Sequence, residues 1–446
     1  MYTQLCSRVL FPLHERLKGH SSVPLRRELE RSQWLNPQAL ADLQLNRLAT
    51  FLRNAAQNVP YYAEQFASLS LRAEDMRSLD DFRKLPLLTK PLIREHSEQL
   101  KSKRAQRLVR YNTGGSSGEP LVFYMGMERV SHDVAAKWRA TRWWGVDIGD
   151  PEIVLWGSPV ELGKQDRIKA WRDRLLRSHL LPAFAMSEAN MREYLTRITA
   201  TRPRMLFGYA SALALLARFA EAERRDLSRL GIKVAFATGE TLYPDQREVI
   251  GRVFGAPVAN GYGSRDAGFI AHQCPQGTLH LSEHIVVELL GADGGPVPPG
   301  QSGEIVTTHL ATGDFPFIRY RTGDMAVAAG QPCPCGRGLP ALAEVQGRTT
   351  DFIYTPSGLA MHALALIYEV RDKPGVKAFK FVQDADLSLE LFLVCDSDLT
   401  AEVEQSIRAG VLRRVGDGAS LAIRRVSAIP PEKSGKYRYV VSRARG

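Results

Sequence analysis

Residues 111–120 read Tyr-Asn-Thr-Gly-Gly-Ser-Ser-Gly-Glu-Pro, a run rich in glycine and hydroxyl side chains. Glycines let a backbone approach an anion closely, and the hydroxyls of Thr113, Ser116 and Ser117 add hydrogen-bond donors. The spacing differs from that of a Walker loop, and the lysine of that motif is absent. The run indicates a phosphate-binding loop or, with equal weight, a surface linker, since Gly/Ser-rich segments are common in linkers.

Two further glycine-containing segments follow apolar runs that are typical of buried strands. Residues 260–268 contain Tyr262, which suits stacking on adenine, and Asp266, which suits Mg²⁺ directly or through water. Residues 237–241, Ala-Thr-Gly-Glu-Thr, follow another such run. Ligands bind at the carboxyl ends of strands in α/β sheets, so both segments are candidates for a site. Each of them alone is also an ordinary strand-to-loop turn.

Two segments in the second half of the chain carry isolated charges in turn-like contexts. Residues 317–324, Phe-Ile-Arg-Tyr-Arg-Thr-Gly-Asp, end in Asp324, a carboxylate on a tight turn that suits the paired hydroxyls of a ribose. Gly-Asp is equally ordinary turn chemistry. Residues 430–438, Pro-Pro-Glu-Lys-Ser-Gly-Lys-Tyr-Arg, place Lys436 after a glycine, where it could reach another domain's cleft. A solvated basic tail is the commoner case.

The middle of the chain alternates short apolar runs with amphipathic segments. Residues 153–156 and 232–236 are typical of buried strands, and residues 209–223 are typical of a helix between them. Such alternation predicts a layered α/β domain. From His280 to Val327 the pattern changes to short strands and turns, which predicts antiparallel β structure.

A smaller α+β unit is expected at the carboxyl-terminal end. The boundary is placed between residues 347 and 348, so that residues 1–347 form a large N-terminal domain and residues 348–446 a small C-terminal one. The elements predicted for the small unit are strands at 376–382, 387–394 and 421–426 and a helix at 400–415.

Composition restricts the class of protein. The 446 residues are 44% hydrophobic and 24% charged, as expected for a globular chain of two or three domains. The net charge of +11 favours a basic surface or a polyanionic small molecule, and no nucleic-acid-binding signature accompanies it. The apolar residues 205–220 include Arg218 and fall short of the roughly 20 residues that a membrane span needs. With five cysteines and no secretory pattern, a cytoplasmic protein is expected.

Taken in order, the segments above resemble those of the adenylate-forming superfamily of acyl-CoA synthetases, and within it the phenylacetate-CoA ligase family. The sequence of residues 113–120, together with Asn-Val-Pro-Tyr-Tyr at 58–62, is similar to that of the branch found in capsular-polysaccharide loci. The resemblance extends from about Trp34 to Tyr439. It implies a large N-terminal domain with layered α/β and β subdomains and a small, mobile α+β C-terminal domain.

The resemblance also implies roles for individual residues. The loop from Thr113 to Gly118 would cradle the phosphates of ATP, and Glu240 and Tyr262 would line the adenine pocket. Asp324 would bind the ribose hydroxyls. The residues implied to contact the nucleotide are Thr113, Gly114, Gly115, Ser116, Ser117, Gly118, Glu240, Tyr262, Gly263, Asp324 and Arg348.

Catalysis is implied to depend on Lys436 and Asp266. Lys436 would stabilise adenylation, and Arg348 would lie at the hinge between the domains. Asp266 stands where the family usually has a glutamate near Mg²⁺, and it is one methylene shorter, so contact with the metal through water is expected. Glu119 stands where many members of the superfamily have lysine, so positive charge on the phosphates must come from elsewhere.

Three cysteines and a histidine suggest a zinc site. Cys274 and His280 come from one segment and Cys333 and Cys335 from another, and thiolates with an imidazole suit a closed tetrahedral site. The single-residue gap between Cys333 and Cys335 is tighter than usual, and free buried thiols are the alternative. Similar residues in parts of the phenylacetate-CoA ligase family resemble a structural zinc site. His272 and His284 are alternative ligands.

The reaction that the resemblance implies is ATP-dependent activation of a carboxylic acid to an acyl-adenylate, followed by transfer to coenzyme A. One alternative is transfer to an amine or hydroxyl of a sugar-linked acceptor in capsular or surface polysaccharide biosynthesis. Another is a catalytically inactive scaffold, which Glu119 favours. The sequence does not identify the acid or the oligomeric state. The aromatic residues Trp138, Trp143, Trp156 and Tyr209 are candidates for the walls of the acid pocket and equally for the core.

Overall fold

The computed structural model describes the chain except for residues 114–120, 157–171, 184–185, 349–351, 357–359, 363, 372, 396–398, 417, 431–437 and 445–446. The chain divides into two compact units, Met1–Gln346 and Gly347–Gly446.

The first unit surrounds a large mixed sheet with helices. The helices described in it are α1 Tyr2–Leu5, α2 Phe11–Leu17, α3 Ser22–Ser32, α4 Pro37–Asn58, α5 Pro60–Ser68, α6 Leu79–Phe82, α7 Lys90–Glu95, α8 Met127–Arg142, α9 Glu188–Thr201, α10 Ala210–Ala222 and α11 Pro244–Phe254, with a π-helical turn at Cys6–Leu10 and a 3₁₀ turn at Ala73–Asp75. Helix α4 begins where Asn36 accepts a hydrogen bond from the Ala39 amide at 2.8 Å and Pro37 supplies the first turn.

The strands of this unit form a hairpin and an eleven-stranded sheet. They are β1 Val109–Asn112, β2 Val122–Met125, β3 Glu152–Trp156, β4 Ser178–Pro182, β5 Met205–Gly208, β6 Val234–Thr238, β7 Val258–Ser264, β8 Gly268–Gln273, β9 Leu279–Leu281, β10 Ile285–Leu290, β11 Ser302–His309, β12 Tyr320–Ala328 and β13 Ala341–Arg348. The order in the sheet is β10-β11-β12-β13-β9-β8-β7-β6-β5-β3-β4.

The sheet changes character at β7. Strands β4, β3, β5, β6 and β7 are parallel, and every residue of β6 is buried, as expected for a strand covered on both faces. The pairings of β7 with β8 and β8 with β9 are antiparallel, as are those of β10 with β11 and β11 with β12. The site described below is built where these two halves meet.

Helices cover both faces of the parallel half. On one face, Leu195 of α9, Leu213 of α10 and Ile250 of α11 belong to one buried cluster with Leu206 of β5. On the other face, the end of α8 packs against Phe207 and Phe236 through Ala140. Each such core side chain gains roughly 1.5–3 kcal/mol from burial. The antiparallel half is covered by α4, whose Leu48, Phe51 and Leu52 pack with Ile305 and Tyr320.

The second unit is a small α+β fold. It contains a four-stranded sheet of order β18-β17-β16-β19 and a short hairpin. Its described elements are β14 Phe352–Tyr354, β15 Ala360–His362, α12 Leu364–Arg371, β16 Val376–Gln383, β17 Leu389–Cys395, α13 Ala401–Val415, β18 Leu421–Arg425 and β19 Val440–Ser442. Helix α13 begins where Thr400 accepts a hydrogen bond from the Val403 amide, and Ile407 and Val411 are fully buried.

The predicted fold class is confirmed, because a layered α/β half, an antiparallel half and a small α+β unit are all present. Two strands begin two residues later than predicted, at Leu389 rather than Leu387 and at Val234 rather than Ile232. Gly231 has a φ of +78°, and the amide of Lys233 donates to the Arg204 carbonyl, so the ladder forms only from Val234 onward. No helix in the described ranges is long and apolar enough to cross a bilayer.

Candidate active site and cysteine–histidine cluster

The base of the Gly/Ser run is fixed by a pair of hydrogen bonds. Strands β1 and β2 pair in antiparallel register, from Val109 opposite Met125 to Asn112 opposite Val122. Beyond this ladder, the Thr113 amide donates to the Leu121 carbonyl at 2.9 Å, and the Leu121 amide donates to the Thr113 hydroxyl at 2.9 Å. Thr113 therefore closes the hairpin at the start of the run. Residues Gly114, Gly115, Ser116, Ser117 and Gly118 lie outside the described residues.

The carboxyl ends of the neighbouring strands β6 and β7 bring together two of the segments singled out in the sequence, 237–241 and 260–268. Glu240 follows β6, and its Oε2 accepts a hydrogen bond of 3.0 Å from the amide of Ser211. Ser211 lies in the first turn of α10, so the carboxylate compensates the positive end of that helix. Tyr262 lies on β7, where Ala237 and Thr238 of β6 pair with Asn260 and Gly261.

An aromatic pair lies at the same edge of the sheet. Trp156, at the end of β3, stacks on Tyr209, which follows β5, with ring centroids 4.2 Å apart and an angle of 25° between the rings. Gly239 packs against both rings: a Cβ at this position would lie 3.1 Å from Tyr209 and 3.3 Å from Trp156. Its φ of +79° also favours glycine. A larger residue here would displace the aromatic pair.

Two tyrosine–aspartate hydrogen bonds join the segment 260–268 to strand β12. The hydroxyl of Tyr262 donates to Oδ2 of Asp324 at 2.8 Å. In the opposite sense, the hydroxyl of Tyr320 donates to Oδ2 of Asp266 at 2.5 Å. Each segment therefore supplies one tyrosine and one aspartate. The two aspartates singled out in the sequence are held by this reciprocal pair, although they are 58 positions apart in the chain.

Asp266 is ionised in its buried position. Burial acts to raise the pKa of its carboxyl group, but hydrogen bonds from Ser264 and Tyr320 and the charge of Lys90 outweigh it, so that the pKa is lowered. Burial raises the pKa of Tyr262 well above its usual value, and the negative charge of Asp324 adds to this effect. At neutral pH, Tyr262 therefore keeps its proton and acts as a donor, and Asp266 acts as an acceptor.

The backbone of the same turn is held by an arginine from helix α8. Arg129, which is 3% exposed, donates to the carbonyl of Arg265 at 3.2 Å and to that of Asp266 at 3.4 Å. Its Nε lies 3.1 Å from both carboxylate oxygens of Asp133. Arg265 in turn donates from Nη1 to the Asn112 carbonyl at 3.1 Å. The turn thus contacts the residue that precedes Thr113.

The three cysteines and the histidine converge in one cluster. Sγ of Cys274 lies 3.7 Å from Sγ of Cys333, and Sγ of Cys335 lies 3.3 Å from Nε2 of His280. All four ligand atoms lie within 4.8 Å of one another. Ideal tetrahedral zinc with ordinary bond lengths separates two sulfurs by roughly 3.8 Å and a sulfur from a nitrogen by roughly 3.6 Å. The cluster therefore fits a zinc ion with little movement.

The electrostatics of the cluster suit metal ligation as well. Burial lowers the pKa of His280 to about 4, with hydrogen bonding to Leu339 acting in the opposite direction, so the imidazole is neutral at pH 7. Its Nδ1 lies 3.4 Å from the Leu339 carbonyl, which leaves Nε2 directed at the cysteines. Burial raises the pKa of Cys274 to about 11, whereas hydrogen bonds from Thr278 and Cys335 lower that of Cys333 against the effect of burial. A bound cation would favour all the thiolates.

The alternative ligands lie elsewhere. His272 is buried between the rings of Phe236 and Phe269, and His284 stacks on His132 with centroids 5.1 Å apart. Neither belongs to the cysteine cluster.

The four aromatic residues considered for the acid pocket do not form one wall, which corrects that grouping. Trp138 is buried with Phe11 and Ile148, and Trp143 lines a surface cleft of about 520 Å³ beside Trp34. Trp156 and Tyr209 alone lie at the strand ends. Trp138 and Trp143 lie apart from the other two because they are on or next to helix α8, which packs on the other side of the sheet.

Two predicted residues belong to the second unit or its junction. Arg348 is the last residue of β13, and Lys436 lies outside the described residues. Sequence reasoning did not single out Tyr320, Arg129 or Arg265. Tyr320 lies four positions before Asp324 in the segment 317–324. That proximity to Asp324 is the sequence feature that could have indicated a role for Tyr320. No sequence signal pointed to Arg129, since the carbonyls of Arg265 and Asp266 that it contacts lie more than a hundred positions away.

Comparison with known proteins gives relatives for both units. Residues 353–443 match the family model described as the CapK C-terminal domain. The chain is 23% identical to the protein CapK of Staphylococcus aureus over 407 residues, covering 90% of this chain and 89% of that protein. It is 25% identical to a phenylacetate-coenzyme A ligase of Pseudomonas putida over 324 residues, 71% of this chain and 72% of the ligase.

Solved structures share the fold. A 2-hydroxyisobutyryl-CoA ligase, crystallised in the postadenylation state with 2-HIB-AMP, superposes with a TM-score of 0.73 at 20% identity, over 92% of this chain and 91% of that one. ATP-bound MatB from Rhodopseudomonas palustris gives a TM-score of 0.53 at 15% identity, over 74% and 66% of the two chains. The chain therefore has the fold of adenylate-forming ligases. Its sequence is similar to those of CapK and the phenylacetate-coenzyme A ligases, and its C-terminal unit matches the CapK C-terminal domain model.

Proposed function

We propose that the chain joins a carboxylic acid to AMP from ATP and passes the acyl group to coenzyme A. The observation that carries this proposal is the reciprocal pair of bonds, Tyr262 to Asp324 and Tyr320 to Asp266, at the carboxyl ends of the parallel strands. The pair presents two ordered carboxylates beside the closed base of a Gly/Ser run. The shared fold with ligases crystallised with an acyl-adenylate or with ATP supports the same reaction class.

The nucleotide would lie across these elements. The run from Thr113 to Gly118 would receive the phosphates through backbone amides and hydroxyls. Tyr262 and Gly263 would form one wall of the adenine pocket and Glu240 another, and Asp324, oriented by Tyr262, would accept the ribose hydroxyls. Arg348 would approach the nucleotide from the junction of the two units.

Adenylation requires the acid's carboxylate to attack the α-phosphate of ATP while pyrophosphate leaves. Such chemistry depends mainly on positioning and on stabilising the developing charge. Asp266 would hold Mg²⁺, through water because its carboxylate is buried against Tyr320, and the ion would supply positive charge to the phosphates. Lys436 would donate to the reacting carboxylate. The acid itself would lie against the stacked pair Trp156 and Tyr209, next to Gly239.

A second acceptor is supported by a specific observation. CapK covers 90% of this chain, and its C-terminal domain model matches residues 353–443. If the small unit selects the acceptor, the acyl group would pass to an amine or hydroxyl of a sugar-linked precursor in surface polysaccharide biosynthesis, in place of coenzyme A. Either acceptor would attack the same adenylate, in the cytoplasm.

We further propose that Cys274, His280, Cys333 and Cys335 hold a structural Zn²⁺. The sulfur–sulfur distance of 3.7 Å and the sulfur–nitrogen distance of 3.3 Å support a closed tetrahedral site. The ion would supply no chemistry to the reaction, because a site with four protein ligands leaves no open position for substrate.

A pyrophosphate-exchange screen tests the proposed reaction. Purified protein is incubated with ATP, Mg²⁺, labelled pyrophosphate and one member of a panel of aryl, fatty, hydroxy and amino acids. Acid-dependent exchange into ATP is expected for one class, and its absence with every acid would contradict adenylation. For the active acid, AMP release is then compared with and without coenzyme A and with sugar nucleotides. Release that coenzyme A does not accelerate would favour the second acceptor.

A further inference from the structure

The predicted ATP site carries more negative than positive side chains. Its described acidic residues are Glu240, Asp266 and Asp324, and Glu119 adds a further carboxylate within the Gly/Ser run. ATP brings several negative charges of its own. Like charges a few ångströms apart repel each other more strongly at a protein surface than in bulk water, because the effective dielectric is lower. A triphosphate bound here therefore needs cationic side chains from outside the run.

Two of the nearby cations are engaged with protein carboxylates. Arg129 is buried, and its Nε lies between the two oxygens of Asp133. Lys90 acts on the carboxylate of Asp266, whose pKa its charge helps to lower. Both side chains stabilise groups of the site itself.

Arg265 differs from these two in exposure and in position. The residue is exposed to solvent, and its Nη1 donates to the carbonyl of Asn112 at 3.1 Å. Asn112 ends β1 and directly precedes Thr113. On the other side, Arg265 adjoins Asp266 in sequence, and Arg129 holds the backbone of both residues. Its guanidinium group is therefore bonded to the residue before Thr113, and its backbone adjoins the aspartate proposed to hold Mg²⁺.

We propose that Arg265 binds the β- and γ-phosphates of ATP and the pyrophosphate that leaves. In adenylation, an oxygen of the acid bonds to the α-phosphorus, and the bond from that phosphorus to the bridging oxygen breaks. The electron pair remains on that oxygen, and Arg265 neutralises the charge on pyrophosphate. A planar guanidinium suits this task because its parallel donors match phosphate oxygens. The inference rests on the proposed function and names the group that recognises its leaving group.

Binding measurements on substituted proteins test this assignment. Arg265→Gln removes the charge, Arg265→Lys retains it without the fork of donors, and Arg229→Gln serves as a matched control on an arginine whose side chain is 93% exposed. Calorimetry measures the binding of Mg²⁺-pyrophosphate, Mg²⁺-ATP and AMP to each protein. Loss of a hydrogen bond between charged groups corresponds to an affinity change of about 10- to 100-fold.

For Arg265→Gln, binding of pyrophosphate and ATP is expected to weaken by that factor while AMP binding stays within about twofold, since AMP lacks the β- and γ-phosphates. Arg265→Lys should fall between this variant and the wild type. Unchanged pyrophosphate binding would overturn the assignment. An equal loss for AMP would overturn it too, because a structural tie between Arg265 and Asn112 would then explain the effect. A wild-type protein that binds neither ATP nor AMP would contradict the proposed function itself.

Discussion

The hydroxyl of Tyr320 lies 2.5 Å from Oδ2 of Asp266, and both groups are buried. Its counterpart, Tyr262 to Asp324, connects the same two segments at 2.8 Å in the opposite sense. Because each bond fixes an aspartate from the other segment, displacement of either segment would disturb both carboxylates. The two hydrogen bonds therefore couple the positions of both carboxylates in the proposed nucleotide site.

Tyr262→Phe should weaken ATP binding without unfolding the protein. The substitution keeps the ring but removes the donor to Asp324, so the carboxylate proposed to bind ribose loses its orientation. A hydrogen bond to a charged group contributes about 1.5–3 kcal/mol, so KM for ATP in pyrophosphate exchange should rise about tenfold or more. Tyr194→Phe removes a comparable bond, to the Pro182 carbonyl on another side of the sheet, and should leave KM unchanged. Equal KM values in both variants would exclude Tyr262 from the site.

Asp266→Asn should destabilise the protein in a pH-dependent way. The pKa of Asp266 is lowered in the folded state, so its ionised form contributes stability above the unfolded pKa of about 3.9, and the contribution is lost as the pH falls through the folded pKa. Urea denaturation at pH 7, 5, 4 and 3 should therefore show a gap from wild type of about 1–3 kcal/mol at neutral pH that narrows in the acid range. Asp42→Asn, an exposed control, should change the free energy of unfolding at pH 7 by less than about 0.5 kcal/mol. A constant gap for Asp266→Asn would contradict the linkage.

Lys436→Ala should reduce pyrophosphate exchange by about 10²–10³-fold, the usual cost of removing one donor to a developing charge. Because the lysine is proposed to act on the reacting carboxylate, the melting temperature should change little. Exchange rates and thermal melting of the variant and of Lys373→Ala, a control in the same unit, check both points. Full exchange activity in Lys436→Ala would remove this lysine from the reaction.

Cys333→Ser should release zinc and lower the melting temperature, since it removes one of four converging ligands. Elemental analysis of the wild type should find about one zinc per chain, and the variant should retain little. Cys395→Ser replaces a cysteine outside the cluster and should leave both values unchanged. Wild-type protein without zinc, together with an unaffected melting temperature in Cys333→Ser, would rule out the site.

Glu283→Gln should destabilise the first unit strongly. Its carboxylate lies 2.6 Å from Nη1 of Arg139 and accepts a hydrogen bond of 2.5 Å from Ser32, and both charged side chains are 2% exposed or less. Breaking a buried ion pair by neutralising one partner costs about 3–5 kcal/mol, which urea denaturation would detect. Arg252→Ala removes a partner from the exposed pair with Glu221 and should cost less than about 1 kcal/mol. A similar small loss in both variants would contradict the difference in burial.

Much of the fold was predictable from local sequence patterns. Strand Val376–Gln383 and helix Ala210–Ala222 agree with the predicted ranges to within one residue, because hydrophobic periodicity and flanking turn residues determine them locally. The cysteine cluster was also predictable, although Cys274 and Cys333 are 59 positions apart, because few residue types can hold zinc.

The tertiary contacts that arrange the site were not predictable. Arg129 reaches the turn at Asp266 from 137 positions away, and no periodicity or motif relates the two. For the same reason, Trp138 and Trp143 were grouped with Trp156 and Tyr209, because a single sequence does not tell on which side of a sheet a helix will pack. Such relationships depend on the topology of the whole sheet.

The path of the chain around the cysteine cluster affects how the first unit responds to oxidation. Within the part of the chain that the structure describes, strand β13 pairs with β9 at Ala341 with His280 and at Leu342 with Leu279. The four ligands lie near the two ends of the segment that connects β9 with β13. A bound ion would therefore reinforce this strand pairing, to which backbone hydrogen bonds contribute little. Oxidation of the thiols would therefore first weaken the pairing of β9 with β13, and a protease would then cleave the chain first near residues 330–340.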